Sequence, residues 1–569
     1  MKASDYIVEY LIRKGITDVF GYPGGMVTQL MDSFARYSDR IAAHVTYHEQ
    51  GAAFAACGYA QVSGKPGVAY ATSGPGATNL ITGICNAYFD SIPTVFITGQ
   101  VNTNESKSGY GVRQRGFQET DIVSMVKPVT KYAAYVESPE KLPEYLDRAF
   151  TEAESGRMGP ALLDIPMNIF RSEIYPQSAA DSVKTISEDP SITKILTDAL
   201  SCSERPCLII GNGVKITNTG KQIRNFLEKY QIPAVTSMIA FDVLGNTSLN
   251  YGFLGAYGTR TANFIAAKSD LIISIGSRLD IRQVGAKREN FAPNARIIRF
   301  DVDRNELSYP VHQDETQICT DMDSLMVSLE NIAPTQNYGQ WIKVCDKIRS
   351  ILRNTDQNPI SQMMNTLSKA VPRDAVITTD VGQNQVWTAQ SFLLKEGQKV
   401  LFSGGHGAMG YALPAAIGAC YACGKAPVYC ITGDGGMQMN IQELQFIARE
   451  HLPVKIIVLN NNALGMIRHF QEMYFEGRYY QTKPQGGYTA PSFSKIADVY
   501  GIPSRAASFE NISDIFDEIS TCFTDKEPYL LEVLIDRDTY VTPKLEFGKP
   551  NQDQEPLLDR PIYNSIMSL

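Results

Sequence analysis

At 569 residues, with 44% hydrophobic and 20% charged side chains, the chain is too long for one hydrophobic core and too apolar for extended disorder. A net charge of −8 with no long Lys/Arg run argues against nucleic acid as a partner, so an anionic ligand would have to be held by local features. A norm of roughly 150 residues per domain suggests three or four domains.

In chain order, the opening "MKASDYIVEYLIRKG" places Tyr6, Ile7, Tyr10 and Leu11 at helical spacing with charges between them, which predicts an amphipathic helix rather than a signal peptide. No apolar run approaches the roughly 18 residues of a membrane span, so a cytoplasmic protein with no membrane partner is expected. Short, almost wholly apolar runs then alternate with helical segments: "VAYATS" (68–73), "TVFITG" (94–99), "CLIIG" (207–211), "LIISIG" (271–276), "IIRFDV" (297–302), "VYCIT" (428–432) and "KIIVLNN" (455–461). Strands of this kind belong to parallel sheets covered on both faces, which predicts an α/β protein. Polar stretches around 172–190 and 333–360 read as linkers, giving domains at 1–175, 190–335 and 360–545 and a polar tail at 546–569. The ten cysteines are scattered; Cys420 and Cys423 form a CxxC without a second pair at zinc spacing, and in their Ala-rich helix they read as buried thiols.

A repeat is present. "GYAQVSGKPGVAYATSGPGATNLI" followed by "IPTVFITG" parallels "ACYACGKAPVYCITGDGGMQMNIQ" followed by "LPVKIIVLNN". The first and third domains are thus expected to be copies of one α/β unit that diverge at the strand tip, Gly74-Pro75-Gly76 in one and Gly433-Asp434-Gly435 in the other. Such divergence suits a ligand gripped at one end by each copy.

Asp434 and Asn461 both fall at the carboxyl ends of predicted parallel strands, separated by the length of one strand–helix–strand crossover. A carboxylate, an amide oxygen and a backbone carbonyl, here Ala463, make half of an octahedral oxygen shell that diphosphate oxygens and water complete around Mg²⁺. The phosphate implied is a diphosphate.

"GDGGMQMN…LNNNALGM" and "GGHGAMGYALPAAIGA" (404–419) resemble the metal- and diphosphate-binding segments of thiamine-diphosphate enzymes. "YHEQGAAFAACGYAQVSGKPG" and "TSGPGATN" resemble their pyrimidine-binding domain, and "GFQETDIV" (116–123) and "FAPNARII" (291–298) extend the likeness over nearly the whole chain. The chain resembles the acetohydroxyacid (acetolactate) synthase catalytic subunits and their flavin-containing relatives. The resemblance implies three doubly wound parallel-sheet domains: pyrimidine-binding, central Rossmann-like, and diphosphate-binding. It also implies the cofactors thiamine diphosphate, Mg²⁺ and FAD, a homodimer or homotetramer with its active site at the subunit interface, and a possible regulatory subunit.

The same resemblance implies the site residues. Glu49 is the carboxylate that hydrogen-bonds the aminopyrimidine so that the cofactor removes its own C2 proton. Diphosphate binding falls to Gly435 and Gly436, to the loop with Gly382, Gln383 and Asn384, and to the Gly407 segment, although Asn384 stands where the synthases carry His. Met409 is the wedge beneath the thiazolium. For FAD, the matching positions are Arg157, Gly255, Arg278, Asp280, Asp301 and Asp321, with Tyr257 in place of a family His and Thr320 where Gly is usual. The GxGxxG at Gly405–Gly410 falls inside the segment that resembles the diphosphate site, so it does not support a nicotinamide enzyme.

For the reaction, the ligation residues appear as Phe117, Gln118, Met466 and Arg282, the last able to pair with the carboxylate of pyruvate. Simple decarboxylases often use adjacent histidines, and none of the six His here are adjacent. Carboligation of pyruvate to acetolactate is therefore expected. Phe470 in place of a Trp, Met167 in place of a Lys, and Arg113 and Arg115 at small or acidic positions leave open a second acceptor, a nucleotide-linked keto sugar. A decarboxylase or flavin oxidase is the further alternative.

Overall fold

The structure, a computed structural model, describes residues 1–175, 188–333, 336–353 and 355–569. Most of the linker read over 172–190 lies outside the described residues, as do 334, 335 and 354. The first sheet comprises β1 (Asp18–Gly21), β2 (Ala42–Val45), β3 (Gly67–Ala71), β4 (Thr94–Gln100), β5 (Tyr132–Tyr135) and β6 (Pro160–Pro166), ordered β2-β1-β3-β4-β6-β5. The second comprises β7 (Pro206–Ile210), β8 (Ala234–Thr236), β9 (Asn250–Phe253), β10 (Leu271–Ile275), β11 (Arg296–Asp301) and β12 (Thr316–Cys319), ordered β12-β11-β10-β7-β8-β9. The third comprises β13 (Val376–Thr379), β14 (Lys399–Leu401), β15 (Val428–Gly433), β16 (Val454–Asn460), β17 (Ser504–Ser508) and β18 (Tyr529–Leu534), ordered β14-β13-β15-β16-β18-β17. The strand pairs are parallel, and every residue of β3, β4, β6, β7, β10 and β16 is buried, which is why these segments read as uninterrupted apolar runs. The chain is α/β with three doubly wound sheets.

The first and third sheets share one strand order, and the repeat extends to single hydrogen bonds. The N–H of Gly67 donates to Pro93 O at 3.1 Å, and the N–H of Val428 donates to Pro453 O at 3.1 Å. Ser91 and His451, two residues before those prolines, both have positive φ. The switch point of the third sheet, where strand order reverses, lies between β13 and β15, and ligands bind outside the carboxyl ends of strands at such points. Asp380 and Asp434 occur there in the chain.

Among the described residues two compact units form. One contains residues up to 175, 375–384 and 401–537, and so both copies of the repeat; the other contains the central sheet, 385–400 and 538–569. Within the first unit the helix Glu49–Ser63 lies against the helix Ala412–Ala422, both buried along nearly their whole length. Their small side chains permit backbone contact: a Cβ on Gly58 would stand 2.1 Å from Ala415 O, and one on Gly418 would stand 1.8 Å from Ala55 O. Cys420 is buried in that second helix and Cys423 half-buried at its end. The helix predicted at the N-terminus runs Ala3–Arg13 and buries Tyr6, Ile7, Tyr10 and Leu11.

The second predicted linker, 333–360, differs from expectation. It holds the helix Gly339–Leu352, which buries Trp341, Cys345, Ile348 and Leu352 at helical spacing in the central core. Polar residues on its other faces hide this stripe from a reading by composition. The tail likewise holds a helix, Arg560–Ser568, which buries Ile566 and sets Tyr563 against Phe264.

Candidate active site

The cation set comes together as the strand ends require. Asp434 follows β15 and Asn461 follows the neighbouring β16, and the backbone N–H of Ala463 donates to Asp434 Oδ2 at 3.1 Å and to Asn461 Oδ1 at 3.2 Å. Asn461 Nδ2 donates to Gln383 Oε1 at 2.8 Å, joining the 382–384 loop to the set. Asp434 is only 4% exposed, and burial pushes its carboxyl up to about 6 despite hydrogen bonds from Gly435, Ala463 and the Tyr488 hydroxyl. A buried carboxylate raised in this way, beside an amide oxygen, suits a hard divalent cation. Among the described residues no group of three or more His, Cys, Asp or Glu offers a different metal centre.

The diphosphate-side glycines are packed where a side chain would intrude. A Cβ on Gly436 would meet Asp380 Oδ1 at 2.4 Å, and one on Gly435 would stand 2.9 Å from the Met409 methyl carbon. Gly382 (φ +151) turns the chain beside the Asn384 amide, and Asn384 reaches Ile431 O at 3.4 Å. Met409 and Gly407 (φ +67) sit on the 403–411 loop, fixed by residues that sequence reasoning missed. Asp380 accepts from the N–H groups of Val381 (2.9 Å), Gly410 (2.9 Å) and Ala412 (3.0 Å), while Asp90 accepts from Gly404 (3.0 Å) and Gly405 (2.6 Å). Asp380 follows β13, at the switch point of the third sheet.

The other copy of the repeat assembles a second group. Glu49 opens its helix, buried, and its Oε2 accepts from Asn79 Nδ2 at 2.9 Å. Gly76 of the Gly-Pro-Gly tip lies against it, with a would-be Cβ 3.1 Å from Glu49 Oε1. Gln118, held at φ +61, packs its backbone on Gly74. The turn before Glu49 is tied to the third domain: Glu443, fully buried, accepts from the Tyr47 N–H at 3.0 Å, and Asn440 donates to Gln50 Oε1 at 3.1 Å. Neither Asn79 nor Glu443 was foreseen, since both act through contacts that only the fold creates.

The ligation residues are less gathered. Phe117 is 78% exposed. Met466 and Phe470 lie one turn apart on the helix Gly465–Tyr474, where Phe470 packs on Tyr474 with ring centres 4.7 Å apart. Arg115 is turned into its own loop: it donates to Asn104 O (2.9 Å) and Ser106 O (3.1 Å), with its guanidinium over Tyr110. That engagement occupies one of the two guanidiniums, Arg113 and Arg115, on which a bulky anionic acceptor rested.

In the central domain, Arg278 follows β10, Asp301 ends β11 and Asp321 follows β12, at the carboxyl ends of adjacent strands where doubly wound sheets hold dinucleotides. Arg278 pairs with Asp280 at 2.8 Å, and Asp280 and Asp321 cap the helices that follow them. Arg282 is exposed with its guanidinium over Tyr257, and its carbonyl approaches Gly255 (φ +126) so closely that a Cβ there would stand 2.4 Å away. Arg157 belongs to the other unit and donates to Ser91 Oγ at 3.0 Å.

Duplicated α/β domains, one carrying the buried Asp434 and Asn461 at its strand ends and the other a buried Glu49, define a thiamine-diphosphate enzyme. Family models agree: residues 1–125 match the thiamine pyrophosphate enzyme N-terminal TPP binding domain, 193–329 its central domain and 380–533 its C-terminal TPP binding domain. The chain is 35% identical over 566 residues to acetolactate synthase isozyme 2 large subunit of Escherichia coli, covering 97% of this chain and 99% of that protein. It is 35% identical over 561 residues to the probable acetolactate synthase large subunit of Methanocaldococcus jannaschii (94% and 92% covered) and 34% over 575 residues to acetolactate synthase 2, chloroplastic, of Nicotiana tabacum (97% and 85%). The chain belongs to the acetolactate synthase large-subunit family. Among the described residues, no helix is long and apolar enough to cross a membrane.

Proposed function

We propose that this protein is a thiamine-diphosphate-dependent acetolactate synthase of the cytoplasm, which decarboxylates pyruvate and joins the two-carbon unit to a second pyruvate. The observation that carries the reading is the convergence of Asp434 Oδ2 and Asn461 Oδ1 on the Ala463 N–H at the ends of adjacent strands. Bound, thiamine diphosphate supplies a carbon nucleophile for the keto group and retains the two-carbon unit after CO₂ leaves.

The chain's own residues bind and orient. Asp434, Asn461 and the Ala463 carbonyl hold Mg²⁺, and Gly382, Gln383, Asn384, Gly407, Gly435 and Gly436 let backbone and amide groups approach the diphosphate. Met409, lying over Gly435, supports the cofactor in its bent form. Glu49, kept in place by Asn79, hydrogen-bonds the aminopyrimidine and holds a proton at its carboxyl. Arg282 pairs with the carboxylate of a keto acid, while Phe117, Gln118, Met466 and Phe470 shape the acceptor pocket and exclude water. FAD is assigned to the central domain through Gly255, Arg278, Asp280, Asp301 and Asp321. The two halves of the site are supplied by different copies of the chain in a homodimer or homotetramer, and the large-subunit names of its relatives support a smaller companion subunit.

The test is Glu49→Gln, which keeps the shape and removes the proton-holding group. Acetolactate formation from pyruvate, and exchange of the cofactor C2 proton followed by NMR, should both fall by at least about 100-fold, the lower end of what a general acid–base group contributes. Exchange at the wild-type rate in this variant would sink the assignment.

A further inference from the structure

We propose that Tyr488 belongs to the cation site, its hydroxyl donating to the Asp434 carboxylate so that this ligand is oriented toward the metal. The inference rests on the Mg²⁺ reading above and adds a residue to it. The Tyr488 hydroxyl hydrogen-bonds the Asp434 side chain and stands 3.5 Å from where a Cβ on Gly435 would be, inside the tip of the Gly-Asp-Gly turn.

Its delivery is built into the backbone. The segment bearing Tyr488 runs along the ligand loop: the Leu464 N–H donates to Thr482 O at 3.0 Å, and the Ala490 N–H donates to Asn462 Oδ1 at 2.8 Å. Between these anchors the chain makes a tight turn, with Gly486 N–H on Lys483 O at 2.8 Å, Tyr488 N–H on the same carbonyl at 3.2 Å, and Gly487 at φ +104. Gly486 is packed so closely under Tyr479 O that a Cβ would stand 2.4 Å from it. Thr482 Oγ1 donates to Gln471 Oε1 at 2.6 Å and Gln471 Nε2 donates to Tyr480 O at 3.0 Å, tying the turn to the helix Gly465–Tyr474. A carboxylate that gives one oxygen to a metal still has lone pairs to satisfy, and a donor fixed on them sets both its orientation and its basicity. Removing such a supporting hydrogen bond weakens metal affinity by about 10–100-fold.

Tyr488→Phe keeps the ring and removes only the donor. Full-length wild type, Tyr488→Phe and Asp434→Asn, each freed of metal, would be titrated with thiamine diphosphate by calorimetry at a series of Mg²⁺ concentrations, and their metal-free melting temperatures compared. The expected result is a 10–100-fold rise in the Mg²⁺ needed for half-maximal cofactor binding in Tyr488→Phe, with its metal-free melting temperature near that of wild type. Half-saturation within twofold of wild type overturns the proposal. Cofactor binding that is independent of Mg²⁺ in the wild type, or undisturbed in Asp434→Asn, overturns the underlying metal assignment instead.

Discussion

Gly436 and Gly407 are glycines for different reasons, and the difference can be measured. At Gly436 the obstacle is an atom: a Cβ would meet Asp380 Oδ1 at 2.4 Å and Cγ at 2.5 Å, and three backbone N–H groups stop that carboxylate from moving away. At Gly407 there is open space within 4 Å, and the obstacle is the left-handed backbone at φ +67. Gly407→Ala should therefore cost only about 1–2 kcal/mol, with the Asp380 contacts undisturbed. Gly436→Ala should lose about 1–3 kcal/mol of stability and, by displacing Asp380 from the loop bearing Met409, most of its affinity for thiamine diphosphate. Thermal unfolding and calorimetric titration of the two variants check this. A cofactor affinity in Gly436→Ala within twofold of wild type would refute the role given to Asp380.

At the scale of elements, the helices Glu49–Ser63 and Ala412–Ala422 depend on small residues where their backbones touch. Gly58→Ala and Gly418→Ala each place a methyl within about 2 Å of a carbonyl oxygen on the facing helix, Ala415 or Ala55, so the helices must separate along their length. Each should cost more than the roughly 1–3 kcal/mol of ordinary overpacking, with denaturant midpoints falling in parallel; Gly64→Ala, with nothing within 4 Å but a left-handed backbone at φ +69, measures the cost of backbone strain alone. A loss at Gly58 no larger than at Gly64 would show that the pair can relax. The sequence made this architecture legible where burial is total: β4, β7 and β16 are uninterrupted apolar runs, and the Gly-Pro-Gly/Gly-Asp-Gly repeat is matched by one strand order in two sheets. It was silent where one stripe of a polar segment does the packing, as with Trp341, Cys345, Ile348 and Leu352 in the supposed linker. The site divides in the same way. Asp434, Asn461 and Glu49 follow from strand ends and motif, whereas Asp380, Asp90, Glu443 and Tyr488 matter through partners distant in sequence that no local pattern announces.

Taken over the whole molecule, the buried carboxyls set how stability depends on pH. Burial pushes Glu443 up to about 8 from an ordinary 4.5, against hydrogen bonds from Tyr47 and His48, and pushes Asp164 up to about 7 from 3.8, against those from Gln100 and Thr98. A carboxyl whose folded pKa is raised keeps its proton in the native state where the unfolded chain has lost it, so its contribution to stability falls as pH rises from the unfolded value to the folded one. Glu119 runs the other way: burial raises its pKa, but the N–H groups of Lys107, Arg115 and Gly116 and the Ser106 hydroxyl outweigh that and lower it, so its contribution is lost only in acid. Between about pH 5 and pH 8 the raised carboxyls therefore dominate, Asp380 and Asp434 (each pushed up to about 6) at the acid end and Asp164 and Glu443 above it, and the slope approaches about 1.4 kcal/mol per pH unit for each proton retained. The metal-free protein should melt at a lower temperature at pH 8 than at pH 5.5. Glu443→Gln, which keeps an oxygen for the Tyr47 N–H but cannot ionise, should flatten the part of the decline between pH 7 and pH 8 while leaving the Asp164 part. Melting curves across that range, in buffers of matched ionic strength, provide the check: a wild-type midpoint that rises toward pH 8, or a Glu443→Gln curve parallel to wild type throughout, would mean that Glu443 is already ionised in the folded protein.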